Sequence, residues 1–179
     1  MSSREMGIFE EWAPVYRERG FWPRPIYPGK KACWEKGWQM PDHQQTPELL
    51  QEWLDKRKGC GIGLLMGTPF PDGTRLGALD IDRNEYVGVG KALLRDPICG
   101  RIGKKGAVFF VRVMPGVKQQ KFTVKGEAGK EYGQVAECLF DKALCVIPPT
   151  IHPDTNQPYH WIGAPLHEVD FNKLPIIGA

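Results

Sequence analysis

The sequence predicts an α+β domain in which helices near the amino terminus precede a sheet of mostly antiparallel strands. Three observations predict this class. Two early segments repeat apolar residues at helical spacing, and several later apolar runs are separated by turn residues. The 16 prolines and 21 glycines favour loops and short strands over a helical bundle. A length of 179 residues with 41% hydrophobic residues fits a single domain, residues 1–179.

The helices are predicted from apolar spacing and end signals. The first has apolar residues at i, i+3, i+4 and i+7: Phe9, Trp12, Ala13 and Tyr16. It ends at Gly20, and a short strand around Pro25–Tyr27 follows. A second helix covers TPELLQEWLDKRKG, with Thr46 as its N-cap and Gly59 as its end. A third, interrupted by glycines, is predicted from about Glu85 to Leu94.

Six apolar runs predict strands: GIGLLMG, RLGALDID, GAVFFVRVM, KQQKFTV, GQVAECLF and ALCVIPP. The turn residues Pro71–Gly73 predict that the first two runs form a hairpin. Asp141 and Lys142 predict a second hairpin between the last two. After Pro149 the sequence predicts irregular structure.

Composition narrows the classes of function. A net charge of +3 does not suit a protein that coats DNA, so any polyanion site is expected to be local. The five cysteines form no CxxC pair, which favours reduced, buried thiols and a cytoplasmic location. The amino-terminal MSSREMGIFEEW has no apolar signal core, and no run approaches the ~20 apolar residues of a membrane span, so no membrane partner is expected.

The segment GALDIDRNEY contains the first candidate site. Side chains two apart on a strand share a face, so Asp80 and Asp82 point to one side while Leu79 and Ile81 point to the other. Two close carboxylates repel unless a cation lies between them, and Mg²⁺ or Mn²⁺ prefers oxygen ligands. The alternative is a solvated pair of aspartates at the end of a strand.

A third carboxylate, Glu137, lies in the apolar run GQVAECLF. A charged residue inside a central strand is costly unless it is paired or binds a metal. The alternative is a glutamate on the solvent face of an edge strand. If its strand lies beside that of Asp80, three carboxylates meet, as in sites that hold two divalent ions ~3.5–4 Å apart for phosphoryl or nucleotidyl transfer.

Cationic segments supply candidate phosphate ligands. CGRIGKKGAVFFVRV contains four of them: Arg101, Lys104, Lys105 and Arg112. Its glycines allow backbone amides to approach an anion, although a basic surface turn explains the segment equally well. Lys30 and Lys31 in YPGKKACW have the same two interpretations. His152, in PPTIHPDTNQPYHW, is expected to hydrogen-bond a phosphate, a base or a backbone carbonyl.

Taken in order, these motifs resemble the bifunctional DNA primase/polymerase (prim-pol) domain of the archaeo-eukaryotic primase superfamily, common in phages and plasmids. The resemblance runs from about Trp12 to Trp161. Its most specific part, VIPPTIHPDTNQPYHW, is similar to the family signature V-x-PPS-x-HP-x-TG-x-PY-x-W, with Thr150 in place of serine. The resemblance implies the archaeo-eukaryotic primase fold, with an RRM-like sheet and a flanking α/β subdomain.

The resemblance also implies template-directed nucleotidyl transfer with two Mg²⁺ or Mn²⁺ ions, bound by Asp80, Asp82 and Glu137. DNA template and primer and nucleoside triphosphates are the implied partners, in the replication of a mobile element. Triphosphate contacts are assigned to four residues: Arg101, Lys104, Lys105 and His152. Contacts to DNA phosphates are assigned to Lys30, Lys31 and Arg112, and an exposed aromatic residue is expected to stack a base.

One departure concerns a histidine that many relatives carry before the FR strand to contact the nucleotide, because Ala107 lies near its position here. The family's usual helicase domain also has no counterpart in the sequence. This leaves either an excised catalytic domain with a helicase partner or a stand-alone small protein. Two other functions stay open: a non-catalytic module that binds single-stranded DNA, and a metal-dependent nuclease.

Overall fold

The structure is a computed structural model that describes residues 5–125 and 131–178; residues 1–4 of the amino-terminal segment lie outside it. The described α-helices are α1 (Ile8–Glu18), α2 (Pro47–Lys56) and α3 (Asn84–Leu93). All three form where apolar spacing predicts them. The Thr46 hydroxyl accepts a hydrogen bond from the Leu49 amide at 3.2 Å, which caps α2 as predicted. The α2 helix ends at Lys56 rather than at Gly59.

The strands of the described residues are β1 (Pro23–Ile26), β2 (Gly61–Leu65), β3 (Arg75–Ile81), β4 (Cys99–Ile102), β5 (Ala107–Val113), β6 (Lys121–Lys125), β7 (Glu131–Leu139), β8 (Leu144–Ile147), β9 (His160–Gly163) and β10 (Ile176–Ile177). A small sheet has the order β1-β2-β8. A larger sheet has the order β6-β7-β3-β5-β4-β9, and β10 pairs with β5. Every pair is antiparallel except β10 with β5. The predicted α+β class with an antiparallel-rich sheet is confirmed.

Both predicted hairpins are wrong as strand pairs. The first turn does form, since the Phe70 amide donates to the Thr74 carbonyl at 2.8 Å. Beyond Gly67, which has φ +109°, the two runs separate, so that β2 joins the small sheet and β3 the large one. β2 is buried along its whole length and lies between β1 and β8. A turn signal specifies a local reversal, whereas burial on both faces requires partners elsewhere in the chain.

The second hairpin fails for the same reason. Lys142 adopts φ 55° and reverses the chain, but β7 stays in the large sheet and β8 pairs with β2. The segment after Pro149, predicted to be irregular, contributes the short strands β9 and β10, and β4 was not predicted. Strands of two to four residues are too short to show an alternating pattern.

The main core lies between the two sheets and α1. It includes Phe9 and Tyr16 of α1, Leu64 of β2, Ala78 of β3 and Phe110 of β5, all fully buried. A second cluster covers the other face of the large sheet beneath α3 and includes Ile81, Phe109 and Cys138. Because β3 is covered on both faces, the end of the strand, at Asp80 and Asp82, is where polar side chains can emerge from the core.

The five cysteines are free and buried, as predicted: Cys33, Cys60, Cys99, Cys138 and Cys145. Burial raises the pKa of these thiols, to about 11 for Cys33 and Cys145, so they stay protonated at neutral pH. Within the described ranges, no helix has both the length and the apolar character needed to cross a membrane.

Candidate active site

Asp80 and Glu137 are direct partners in the antiparallel ladder between β3 and β7. Directly opposite residues share a face, with Cβ atoms typically ~4.5–5.5 Å apart. The Asp82 amide donates to the Val135 carbonyl at 2.9 Å, which continues the pairing past the end of β3. β7 lies between β6 and β3, so the alternative that Glu137 is on an edge strand is wrong.

An irregularity in β7 brings Gln134 to this face. The register between β6 and β7 shifts between Phe122 and Thr123, which leaves Val135 as an extra residue, as in a β-bulge. Because of this extra residue, Gln134 and Glu137 point the same way although they are three apart. The Gln134 amide nitrogen Nε2 donates to Asp82 Oδ2 at 3.1 Å and to Glu137 Oε2 at 3.3 Å. Gln134 was not predicted, because the bulge that turns it inward is set by pairing with β6.

Burial and both negative and positive neighbours affect the ionisation of Asp80. Burial raises the pKa of the Asp80 carboxyl above its usual range, and the negative charges of Asp82 and Glu137 raise it further. Arg101 and Lys31 act in the opposite direction. The Glu137 carboxylate also lies 3.3 Å from the ammonium group of Lys121, a side chain that is two-thirds exposed.

All three predicted ligands are carboxylates, whose oxygens hard cations prefer, but the Gln134 amide nitrogen occupies oxygens of two of them. As the side chains stand, no three histidine, cysteine, aspartate or glutamate residues in 5–125 and 131–178 form a cluster that could hold a metal ion. Ion binding would therefore require the Gln134 amide to yield its place between Asp82 and Glu137.

Asp80 and Asp82 line a cleft of about 440 Å³. Its cationic lining residues are Lys31, Arg101, Lys104 and Lys105, and His152, Asp154 and Tyr159 complete its polar wall. The Arg101 Nε donates to the Val146 carbonyl at 2.8 Å, and its guanidinium carbon lies 4.8 Å from the centre of the Tyr159 ring. These contacts fix the guanidinium group on the same face of the large sheet as Asp80 and two strands away, since both residues pair with Val108. The structure thus joins acidic and basic groups that are far apart in the sequence.

His152 is only 3% exposed, in the loop between β8 and β9. Its Nδ1 accepts a hydrogen bond from the Asp154 amide at 3.1 Å, so in the neutral ring the proton resides on Nε2. Burial lowers the pKa of His152, and the nearby Lys31 lowers it further. The ring is therefore neutral at pH 7 and has one N–H donor.

Residues 13–176 match the family described as bifunctional DNA primase/polymerase, N-terminal, which covers nearly the whole chain. The chain belongs to this primase/polymerase family. Comparison with curated proteins gave no match. The family supports primase or polymerase chemistry in general terms.

The signature loop of this primase/polymerase chain owes its shape to Thr150. The buried hydroxyl accepts from the Ile62 amide at 2.6 Å and donates to the Ile62 carbonyl at 2.8 Å. Gly61 permits this approach, because a Cβ there would lie 2.4 Å from Thr150 Cγ2. The Tyr159 amide donates to the Thr150 carbonyl at 2.9 Å. Thr150 therefore anchors the loop that presents His152, a structural role that the sequence did not reveal.

No histidine on β5 takes the place of the nucleotide-contacting histidine that many relatives carry before this strand. Ala107 is the ladder partner of Ile81, and both are buried in the cluster beneath α3, on the face away from Asp80. The partner of Asp80 on β5 is Val108, which cannot donate a hydrogen bond. The histidine that lines the cleft is His152, from a different loop.

Arg112 lies outside the cleft. Arg112 pairs with Leu76 on β3, four positions before Asp80. It hydrogen-bonds the Asp72 carboxylate at 2.8 Å and the carbonyls of Asn172 and Leu174 at 2.6 and 3.1 Å. Of the two lysines in YPGKKACW, Lys31 lines the cleft and Lys30 is exposed on the turn before it.

A second concavity of about 560 Å³ lies under α3, on the opposite face of the large sheet. Its lining is apolar, including Leu79, Ile81, Val89 and Phe122, and Lys118 is the one charged residue among the described residues that form it. Among the described residues, its lining has no carboxylate or histidine side chain, in contrast to the Asp80 cleft.

Proposed function

We propose that the chain is a template-dependent nucleotidyltransferase that acts as a DNA primase and polymerase. Its active site would be the Asp80 cleft. The observation that carries this proposal is that one cleft presents two carboxylates on one wall and four cationic side chains around it. A nucleoside triphosphate with divalent cations requires both kinds of group. The cleft volume, about 440 Å³, lies in the usual range for small-molecule sites.

Asp80, Asp82 and Glu137 are the residues that would hold two Mg²⁺ or Mn²⁺ ions. When bound, such ions polarise the phosphates and lower the pKa of a coordinated hydroxyl. The β3–β7 ladder fixes the spacing of Asp80 and Glu137, because both sit on paired backbone. In the metal-free protein Gln134 holds Asp82 and Glu137 through two hydrogen bonds, which ion binding would displace.

The cationic wall would bind the triphosphate. Arg101, held by Val146 and Tyr159, offers a fixed guanidinium group. Lys31, Lys104 and Lys105 add further positive charges, and Lys104 pairs with Asp154 at 3.7 Å. The neutral His152 would donate its Nε2–H to a phosphate oxygen. In the reaction, a primer or nucleotide 3′-hydroxyl oxygen forms a bond to the α-phosphorus. The bond to pyrophosphate breaks, and the hydroxyl proton is lost to solvent.

A primer-extension assay tests the proposal. A labelled primer on a DNA template is incubated with nucleoside triphosphates and Mn²⁺, and a primer-free reaction tests priming. The wild-type protein should extend the primer, while Asp80→Asn and Glu137→Gln should lose at least about 100-fold in rate. Lys118→Ala, a lysine in the apolar concavity, is the matched control and should retain the rate.

Other outcomes would overturn the proposal. Equal extension by Asp80→Asn and the wild type would show that this cleft is not the active site. Mn²⁺-dependent cleavage of DNA without nucleotides would identify a nuclease. Salt-sensitive binding of single strands without incorporation would identify a non-catalytic module.

A further inference from the structure

We propose that Trp34 is a stacking platform for a base of the single-stranded template at the entrance to the Asp80 cleft. This inference rests on the proposed function for the identity of the strand as a template. Trp34 is 62% exposed, whereas tryptophan side chains are usually buried because of their large apolar area. In the chain, this exposed indole follows by three residues Lys31, which lines the Asp80 cleft.

The indole is held rigidly. It stacks on the Tyr27 ring, with ring centres 4.9 Å apart and planes inclined by 27°. The Tyr27 hydroxyl donates to the Glu35 carboxylate at 2.7 Å, and the Arg57 guanidinium carbon lies 5.6 Å from the Tyr27 ring centre. Arg57 also pairs with Glu35. Tyr27 is therefore fixed at its hydroxyl and its ring. Because Tyr27 supports the indole, a base that stacks on Trp34 would cost little further side-chain entropy.

A short turn links the platform to the cleft. The Tyr27 amide donates to the Ala32 carbonyl at 3.2 Å, and the Lys30 amide donates to the Tyr27 carbonyl at 3.0 Å. Lys31, within this turn, lines the cleft that contains Asp80. Trp34 follows three residues later, so the turn that carries Lys31 also fixes the position of the indole relative to the site of chemistry.

The charge around Trp34 indicates the kind of partner. Lys30, Lys31 and Lys36 are exposed, and none of them forms an ion pair within the described residues. Basic side chains that follow a backbone, together with aromatic rings that stack on bases, are the combination by which proteins bind single strands. A duplex buries its base faces, so an exposed indole face suits an unpaired strand.

The test measures binding apart from catalysis. A fluorescein-labelled oligothymidylate of about 12 nucleotides is titrated in EDTA, without metal or nucleotide, and followed by anisotropy. Trp34→Ala should weaken binding about tenfold, and Trp34→Phe, which keeps a stacking ring, should restore most of it. Phe122→Ala removes another exposed aromatic residue, 44% exposed in the apolar concavity, and should leave binding unchanged. In primer extension, Trp34→Ala should raise the template KM and leave the nucleotide KM unchanged.

The outcomes separate this proposal from the proposed function. If the wild type extends primers and Trp34→Ala changes neither oligonucleotide binding nor the template KM, the platform is wrong and the polymerase stands. If no incorporation occurs but Trp34→Ala weakens binding, stacking of a single strand on Trp34 is supported, whereas the polymerase and the identity of that strand as a template are wrong. As an independent measurement, the wild type is irradiated with an iodouracil oligonucleotide. A crosslink at Trp34 supports the platform, and crosslinks confined to other peptides contradict it.

Discussion

Asp80 and Glu137 face each other directly across the β3–β7 ladder, although they are 57 positions apart in the chain. The main chain alone sets this relationship, because paired strands determine which side chains lie opposite. Burial raises the pKa of Asp80, and the negative charges of Asp82 and Glu137 on the same side raise it further. The protein retains this unfavourable pair, and the reason we infer is cation binding.

The first prediction follows from that repulsion. Asp80→Asn should stabilise the metal-free protein, by about 1 kcal/mol or about 2–4 °C in Tm, because it removes a partly buried charge beside two like charges. In thermal unfolding, Mn²⁺ should raise the Tm of the wild type and have little effect on Asp80→Asn. If Mn²⁺ raises both Tm values equally, the ion binds elsewhere.

The second prediction concerns Arg101. Arg101→Lys keeps the charge but loses the Nε hydrogen bond to the Val146 carbonyl and the planar contact with Tyr159. We expect the nucleotide KM to rise about tenfold, with the template KM unchanged, because the guanidinium group would bind the triphosphate bidentately. Steady-state extension kinetics at varied nucleotide concentration measure this. An unchanged nucleotide KM would remove Arg101 from the nucleotide site.

The third prediction is a pH dependence of stability due to His152. Its folded-state pKa is below the ordinary value, so as pH falls below about 6.5 the unfolded chain takes up the proton first. Above pH ~6.5, the ionisation of His152 should therefore not affect the free energy of unfolding. Below pH ~6.5, the free energy of unfolding should fall by at most ~1.4 kcal/mol per pH unit, until His152 of the folded protein also takes up a proton.

Urea unfolding of the wild type and His152→Asn between pH 5 and 8 measures this contribution. The asparagine oxygen can still accept the Asp154 amide, whereas the side chain no longer titrates. The difference in unfolding free energy between the two proteins should narrow as the pH is lowered. A difference that stays constant over this range would show that His152 has its ordinary pKa.

The fourth prediction concerns Arg24, whose side chain has no exposed surface. It donates to the carbonyls of Pro23, Trp38 and Met40 and pairs with Asp42 at 2.6 Å. Arg24→Leu removes a donor from the Pro23 and Trp38 carbonyls and one of two donors from the Met40 carbonyl and the Asp42 carboxylate, and it should cost about 3 kcal/mol, or about 6–12 °C in Tm. Lys56→Ala removes an exposed pair with Glu52 and should cost less than about 0.5 kcal/mol. Equal losses for the two variants would contradict this role for Arg24.

Local patterns were enough to predict the helices and most strands. The apolar spacing of α1, the Thr46 cap of α2 and the alternation around Asp80 depend on neighbours in the chain, so the sequence determines them directly. The same alternation placed Asp80 and Asp82 on the face opposite Leu79 and Ile81. Family membership also follows from motifs in order, and residues 13–176 match the family.

Sheet membership was decided only by the tertiary structure. Turn residues at Pro71–Gly73 indicate a reversal, but which strand becomes the partner depends on burial across the whole domain. The side chain of Arg112 looked available for phosphate and instead binds the segment around Leu174, a contact between positions 62 apart. Sequence spacing carries no information on such pairings.

The sequence by itself thus determined which residues carry charge, which face of each strand they occupy and the family to which the chain belongs. Only the tertiary structure decided that Lys31, Arg101 and His152 meet Asp80 in one cleft. It also decided that the bulge at Val135 turns Gln134 toward Glu137. The physical reason is that side-chain direction follows from local backbone geometry, whereas proximity between distant segments results from the packing of the whole core.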